Sequence, residues 1–221
     1  MNFITGPKIL IVVFILLYGL FISWYGGSSE PLTQSEVDGY MAKIEALHNP
    51  NEDPEKTKRL EMFRELARQD DGKEYFMVNL MKFRDKAYYP DHQDQGFGDD
   101  VMDANDRYGK GIMPLLIKRG SIPVFVSDIQ GRFIHPDGAE DWDKVGIVRY
   151  RSRRDILDMV ADPAIAKIGF HKKASIEKTH VIPTAMTINF IFVRGVVGFV
   201  LLVLGGLIHL VLRNFNFYRA G

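Results

Sequence analysis

Two apolar runs, one near each end, constrain this chain more than anything else in it. The first is ILIVVFILLYGLFISWY, Ile9 to Tyr25, and the second is GVVGFVLLVLGGLIHLVL, Gly195 to Leu212. An α-helix rises ~1.5 Å per residue, so runs of this length reach across a hydrocarbon layer ~30 Å thick, the first with little tilt to spare. Everything acidic lies between them. No Asp or Glu precedes Glu30 or follows Glu177, so all 28 acidic residues sit in the middle. The 221 residues are therefore expected to form one domain of ordinary size held between two membrane spans, 9–25 and 187–212.

The first run is expected to be an uncleaved anchor. Its apolar core is long for a signal peptide, and Gly26-Gly27-Ser28-Ser29-Glu30 follows it rather than an A-x-A-like cleavage site. Lys8 precedes the first run, Arg213 and Arg219 follow the second, and no Lys or Arg occurs between the first run and Lys43. The positive-inside rule then puts the tails 1–8 and 213–221 in the cytoplasm and the domain outside the cell membrane. Trp24 and Tyr25 suit an interfacial belt. Arg194 is expected to snorkel at the outer boundary, and Gly19 with Ser23 to give a small-residue face on which the two spans pack.

Four of the 28 basic residues, Lys8, Arg194, Arg213 and Arg219, flank or enter the runs, leaving 24 against 28 acidic residues in the middle. A mildly acidic domain argues against nucleic acid as a partner. There is no cysteine, which excludes disulfides, thiolate metal sites and a Cys nucleophile.

Residues 26–72 read as a linker and two amphipathic helices. Thr33 and Glu36 have capping-box spacing, and Val37, Tyr40, Met41, Ile44 and Leu47 follow at helical spacing. Asp53-Pro54 restarts a helix whose stripe is Leu60, Phe63, Leu66 and Ala67. Residues 73–183 form the main domain. YFMVNLMKF, Tyr75 to Phe83, is a strand with Phe76, Val78 and Leu80 on one face and Tyr75, Met77, Met81 and Phe83 on the other, interrupted by Asn79. A polar loop, 84–100, leads to a helix from Val101 that Gly109, Gly111 and Pro114 should bend or interrupt and that Gly120 should close. Ile122 to Ile129 and Lys144 to Tyr150 are strands. Ser152 and Asp155 suggest a capping box for the next helix, which Asp162-Pro163 ends or kinks. Ile176 to Ile182 is a more charged strand, suited to a sheet edge.

The order β-α-β-β-α-β gives an α+β fold of the ferredoxin-like kind, with a four-stranded antiparallel sheet. A sheet covered on one side should alternate apolar with polar residues. The first three strands here are apolar on both faces. A second copy of the sheet is the simplest cover, giving a homodimer; the helices at 33–70 are the rival cover.

The segments MVNLMKFRDKA (Met77–Ala87), YGKGIMPLLIKRG (Tyr108–Gly120), PVFVSDIQG (Pro123–Gly131) and WDKVGIVRYRSRRDILDMVADP (Trp142–Pro163) resemble the dimeric α/β-barrel superfamily, in the branch called domain of unknown function 1330. The resemblance covers residues 74–183 and implies a protomer whose sheet pairs with that of a second copy. The superfamily includes monooxygenases, isomerases and haem enzymes, so the fold does not fix the function. This branch carries no established catalytic set, and the terminal spans depart from its usual soluble members.

Few residues promise chemistry. Arg149 lies among apolar strand residues, and a buried guanidinium must be paired, either with an acidic ligand or, more simply, with Asp143 or Asp155. Asn79 and Lys82 interrupt apolar positions and either meet a ligand or satisfy neighbouring groups. With Tyr108 and Trp142 they complete the candidate ligand contacts; Trp142 also suits the core. His135 and His171 join Asn79 and Arg149 as candidate catalytic groups. No histidine has metal-ligand spacing, and the loop from Asp91 fails the EF-hand pattern at Gln93, Gln95 and Met102, so neither metal nor cofactor is expected. That loop reads as solvated and mobile. The leading reading is a membrane-anchored small-molecule-binding or interaction module. A cofactor-independent oxygenase- or isomerase-like enzyme and a purely structural membrane subunit are the alternatives.

Overall fold

A computed structural model describes residues 6–27, 30–47, 56–90, 96–134, 136–188 and 191–214. Asp53, Pro54, Asp91 to Gln95, His135 and the tail from 215 lie outside these. The chain divides into two units, one made of Met1–Gly27 with Thr187–Gly221, the other of Ser28–Met186.

The first unit is a pair of helices, α1 (Gly6–Gly26) and α7 (Val193–Asn214), both long and apolar enough to cross a membrane. Their packing differs from expectation. A Cβ on Gly19 would meet nothing within 4 Å. The glycines that matter are on α7. Gly198 lies against the Tyr18 ring and Gly205 against the Phe14 ring, where an added Cβ would be 3.4 and 3.5 Å from ring carbons. Small residues on one helix thus receive aromatic side chains from the other. Tyr18 donates to the Arg194 carbonyl (3.3 Å), and the Arg194 guanidinium lies 5.3 Å from the Tyr25 ring centroid.

The second unit contains α2 (Gln34–Leu47), α3 (Lys56–Arg68), β1 (Tyr75–Phe83), α4 (Val101–Lys118), β2 (Ile122–Asp128), β3 (Lys144–Tyr150), α5 (Arg153–Val160), α6 (Pro163–Ser175) and β4 (Ile176–Thr184). The strands form one antiparallel sheet in the order β2-β3-β1-β4, with β4 at an edge as its charge suggested.

Local signals explain most element ends. Thr33 and Glu36 make the expected capping box: the Thr33 N–H donates to Glu36 Oε2 (2.9 Å) and the Glu36 N–H to Thr33 Oγ1 (3.4 Å). Asp100 caps α4 by accepting from the Asp103 N–H at 2.8 Å. α4 then runs without interruption past Gly109, Gly111 and Pro114, which leaves only the bend of the two expected outcomes. It ends in a Schellman turn: Gly120 takes φ +60°, its N–H donates to the Ile117 carbonyl, and the Ser121 N–H donates to the Leu116 carbonyl. Asp162-Pro163 starts a new helix, α6, whose Ala164 N–H donates to Asp162 Oδ1 at 3.0 Å.

The Ser152 capping box does not form. Ser152 precedes α5, but its hydroxyl makes no capping bond. The Asp155 carboxylate instead accepts from Arg151 Nε (3.0 Å) and Nη2 (2.6 Å). The bidentate Arg151 guanidinium takes the carboxylate that the capping box would have used.

The main core joins Met41 and Ile44 of α2 and Leu60 and Ala67 of α3 to Tyr75 and Met77 of β1, Leu116 of α4, Tyr150 of β3 and Leu157 of α5. Helices α2 and α3 therefore pack on the side that faces α4 and α5, and do not cover the other face of the sheet. That corrects the rival explanation for the apolar strands. The β-pairing puts Val78, Leu80, Ile147, Phe125 and Ile182 together on this other face. Phe125 is 49% exposed and Ile182 45%.

Candidate functional site

The site is built where α4 crosses α6. Ala104 and Ala174 are fully buried in one small cluster with Tyr89 at one end of the crossing. At the other, Gly111 lets Ile168 approach to near contact. Small residues at both ends allow the helices to come close. Between these contacts lie Tyr108 of α4 and Lys172 of α6, with Lys172 Nζ 5.6 Å from the Tyr108 ring centroid.

Burial acts on both groups. It pushes the Tyr108 phenol up to about 12 and pulls the Lys172 ammonium below the usual lysine range. Lys172 keeps partial solvent access while protein crowds it. No carboxylate pairs with it among the described residues, whereas Lys82, Lys144, Arg119, Arg149, Arg151 and Arg154 all have one. Tyr150 of β3, which alternation turns toward the helices, is stacked on Tyr75 with ring centroids 5.5 Å apart. Its phenol is also raised, by burial first and by Tyr108 second. All three groups are hydrogen-bond donors at neutral pH. Asn79, Met81 and Gly146 share the same side of the sheet further along, and a Cβ on Gly146 would lie 3.4 Å from Met81 Cε.

The other candidates turn out to be held by the protein. Arg149 is 1% exposed. Its Nε and Nη2 donate to Glu74 Oε2 (3.1 and 2.6 Å), and its Nη1 donates to the Gly120 carbonyl (3.0 Å). The partner is Glu74, not Asp143 or Asp155. Asn79 Nδ2 donates to the Met77 and Gly146 carbonyls, at 3.0 and 3.4 Å, and so satisfies backbone. Lys82 pairs with Asp143 at 3.0 Å. Trp142 is half-buried against His180, ring centroids 4.9 Å apart, outside both buried clusters. His171 Nδ1 is 2.8 Å from the Tyr89 hydroxyl, and its ring packs against both Phe170 and Phe97. His135 lies outside the described residues.

Of the loop from Asp91 that reads as mobile, Asp91 to Gln95 lie outside the described residues and Val101 onward is helix α4. The segment before it is tied to α6, and Phe97 to α4. The Arg84 and Tyr88 N–H groups donate to the carbonyls of Ser175 and Ala174, and Arg107 Nη1 donates to the Phe97 carbonyl.

Of the expected ligand contacts, then, Tyr108 alone faces an unsatisfied group. Lys172 was missed. Its sequence context, HKK at the end of a helix, marks only a cation favoured by a helix C-terminus. Only the helix crossing sets it apart.

The fold defines an α+β domain with an open four-stranded antiparallel sheet, and Lys172 lies over the Tyr108 ring where its helices cross. No family model matches the chain, and no curated protein matches it. The chain is similar to the crystal structure of RPA0582, a protein of unknown function from Rhodopseudomonas palustris: 26% identity, TM-score 0.52, covering 58% of this chain and 94% of that one. It is likewise similar to a structure of methylated RPA0582, at 25% identity and TM-score 0.53, covering 59% of this chain and 93% of the other.

Proposed function

We propose that this protein is a membrane-anchored, homodimeric domain that binds a small molecule between its sheet and the α4–α6 crossing. The observation that carries this reading is Lys172: a crowded ammonium over the Tyr108 ring, with no carboxylate partner among the described residues. Crowding disfavours an ammonium that has no carboxylate, and an anionic ligand would relieve that cost.

The strand order β2-β3-β1-β4, with α4 linking β1 to β2 and α5–α6 linking β3 to β4, supports a ferredoxin-like topology. That supports the proposed kinship with the dimeric α/β barrels and the branch of domain of unknown function 1330. The apolar face around Phe125 and Ile182 supports pairing with a second copy. α1 and α7 support two spans, and the Lys and Arg distribution supports cytoplasmic tails with the domain outside.

Native mass spectrometry of the intact protein released from nonionic detergent tests this reading. A dimer carrying retained small-molecule mass is expected. A monomer with no retained mass, which no small-molecule probe shifts in melting temperature, overturns it. Reporter fusions after Gly26 and at Gly221 test the orientation; a cytoplasmic signal at Gly26 reverses it.

A further inference from the structure

We infer that the ligand is a small organic anion, a carboxylate or phosphate on an aromatic or apolar body, with its charged end held by Lys172, Tyr108 and Tyr150. This deepens the ligand-binding reading above and rests on it.

The argument is one of missing acceptors. Lys172 brings three N–H donors and can accept nothing. The hydroxyls of Tyr108 and Tyr150 have no hydrogen-bond partner among the described residues, and burial keeps both protonated at neutral pH, so both are available to donate. The domain is otherwise rich in acidic groups, and the arginines and lysines around its core, Arg119, Arg149, Arg151, Arg154, Lys82 and Lys144, each have a carboxylate partner. Arg119 alone holds Asp158 and Asp162. A site with a cation and two hydroxyls, in a mildly acidic domain, and no carboxylate aimed at the cation leaves that place for an incoming anion. Binding would replace the water lost by the ammonium with charge-assisted hydrogen bonds, which are about twice as strong as neutral ones. A neutral ligand would leave the ammonium uncompensated.

The walls set the rest of the ligand. Met77 and Val148 join the main core on this side of the sheet, and Met81 and Gly146 continue it. The Met81 side chain lies over Gly146, where it presents an adaptable apolar surface. An aromatic or aliphatic body fits this lining better than a sugar or a peptide.

The test compares charged and neutral probes of one shape. Benzoate, phenyl phosphate and benzamide are titrated calorimetrically into the full-length protein in nonionic detergent. Benzoate or phenyl phosphate is expected to bind at least about tenfold tighter than benzamide. Lys172→Met should erase that preference and leave benzamide binding as it was. Lys172→Arg should keep it, so a folding defect in the Met variant cannot mimic the result. Tyr108→Phe should weaken the anions a few-fold and benzamide less. Equal binding of benzoate and benzamide, or an anion preference that survives Lys172→Met, overturns the anion assignment and leaves the ligand-binding reading standing. If none of the three binds and native mass spectrometry finds no retained ligand, both fall.

Discussion

Gly111 and Ile168 stand closer than any other residue at position 111 would permit: a Cβ on Gly111 would lie 2.6 Å from Ile168 Cγ2 and 3.2 Å from its Cβ. The branch point of Ile168 is close to its own backbone and cannot swing clear. Gly111→Ala should therefore destabilise, because overpacking of about 1–3 kcal/mol outweighs the helix-propensity gain of about 1 kcal/mol. Gly109 is two residues away in the same helix, and a Cβ there would meet nothing within 4 Å. Gly109→Ala should stabilise by about 0.5–1 kcal/mol. Thermal melts of the two variants by circular dichroism should move in opposite directions.

Glu36 supplies a pH test. Its carboxylate takes the α2 capping bonds and also pairs with Arg154 of α5, with Nη2 3.3 Å from Oε2 and Nη1 closer to Oε1. These bonds, that to Arg154 first, lower its pKa from 4.5 to about 2. A carboxyl depressed on folding adds stability that is complete above its unfolded pKa and lost as pH falls through the folded one. The stability difference between wild type and Glu36→Gln should be constant above about pH 5, shrink below it and vanish near pH 2. A difference that grows on acidification would refute the assignment.

Arg149 should be a stability residue. Replacing it with Met removes the cation but leaves the Gly120 carbonyl without this donor, and Glu74 loses both bonds. Breaking a buried pair by removing one member costs about 3–5 kcal/mol. Glu74→Gln should cost less, since Glu74 is 30% exposed and the Gly120 bond survives. Urea unfolding of both variants, with probe binding measured on the folded fraction, separates stability from ligand contact.

Tyr89→Phe removes one buried hydrogen bond to His171, worth about 1 kcal/mol. The effect should be local. Hydrogen exchange should quicken at residues 84–90 and in the last turns of α6, and stay unchanged in β3. Uniform quickening would mean that the loop is not a separable piece.

Phe125→Glu or Ile182→Lys places a charge on the sheet face left open by the helices. Either should convert the proposed dimer to a monomer without lowering the stability of the monomer by more than about 0.5 kcal/mol, since both positions are half exposed. Light scattering in detergent, corrected for bound detergent, reads the outcome. An unchanged dimer would move the interface elsewhere.

Much of the fold was legible because its signals are local. The alternation in YFMVNLMKF, the Asp162-Pro163 stop and the Thr33–Glu36 box each act over a few residues, and each is found where the pattern put it. The Ser152–Asp155 reading failed because the guanidinium of Arg151, next door, takes the Asp155 carboxylate in a bidentate pair. Gly109, Gly111 and Pro114 suggested a bend or break in α4, yet packing against α6 holds the helix whole. Arg149 was legible as a buried cation but not its partner: Glu74 lies 75 residues away, and no spacing rule connects them. Lys172 was illegible for the same reason. A lysine near a helix end is ordinary until another helix crosses over it.

The pairing of α1 with α7 has a consequence for how the protein is made. One unit is continuous in sequence, Ser28–Met186; the other is assembled from the two extremities of the chain. Synthesis completes the continuous unit before the last helix exists. Joining the ends means closing a loop of about 160 residues, whose entropic cost grows only with the logarithm of its length and falls once the interior has collapsed. The order of synthesis is thus written into the connectivity: α7 is made last, and its partner is the first helix made, α1.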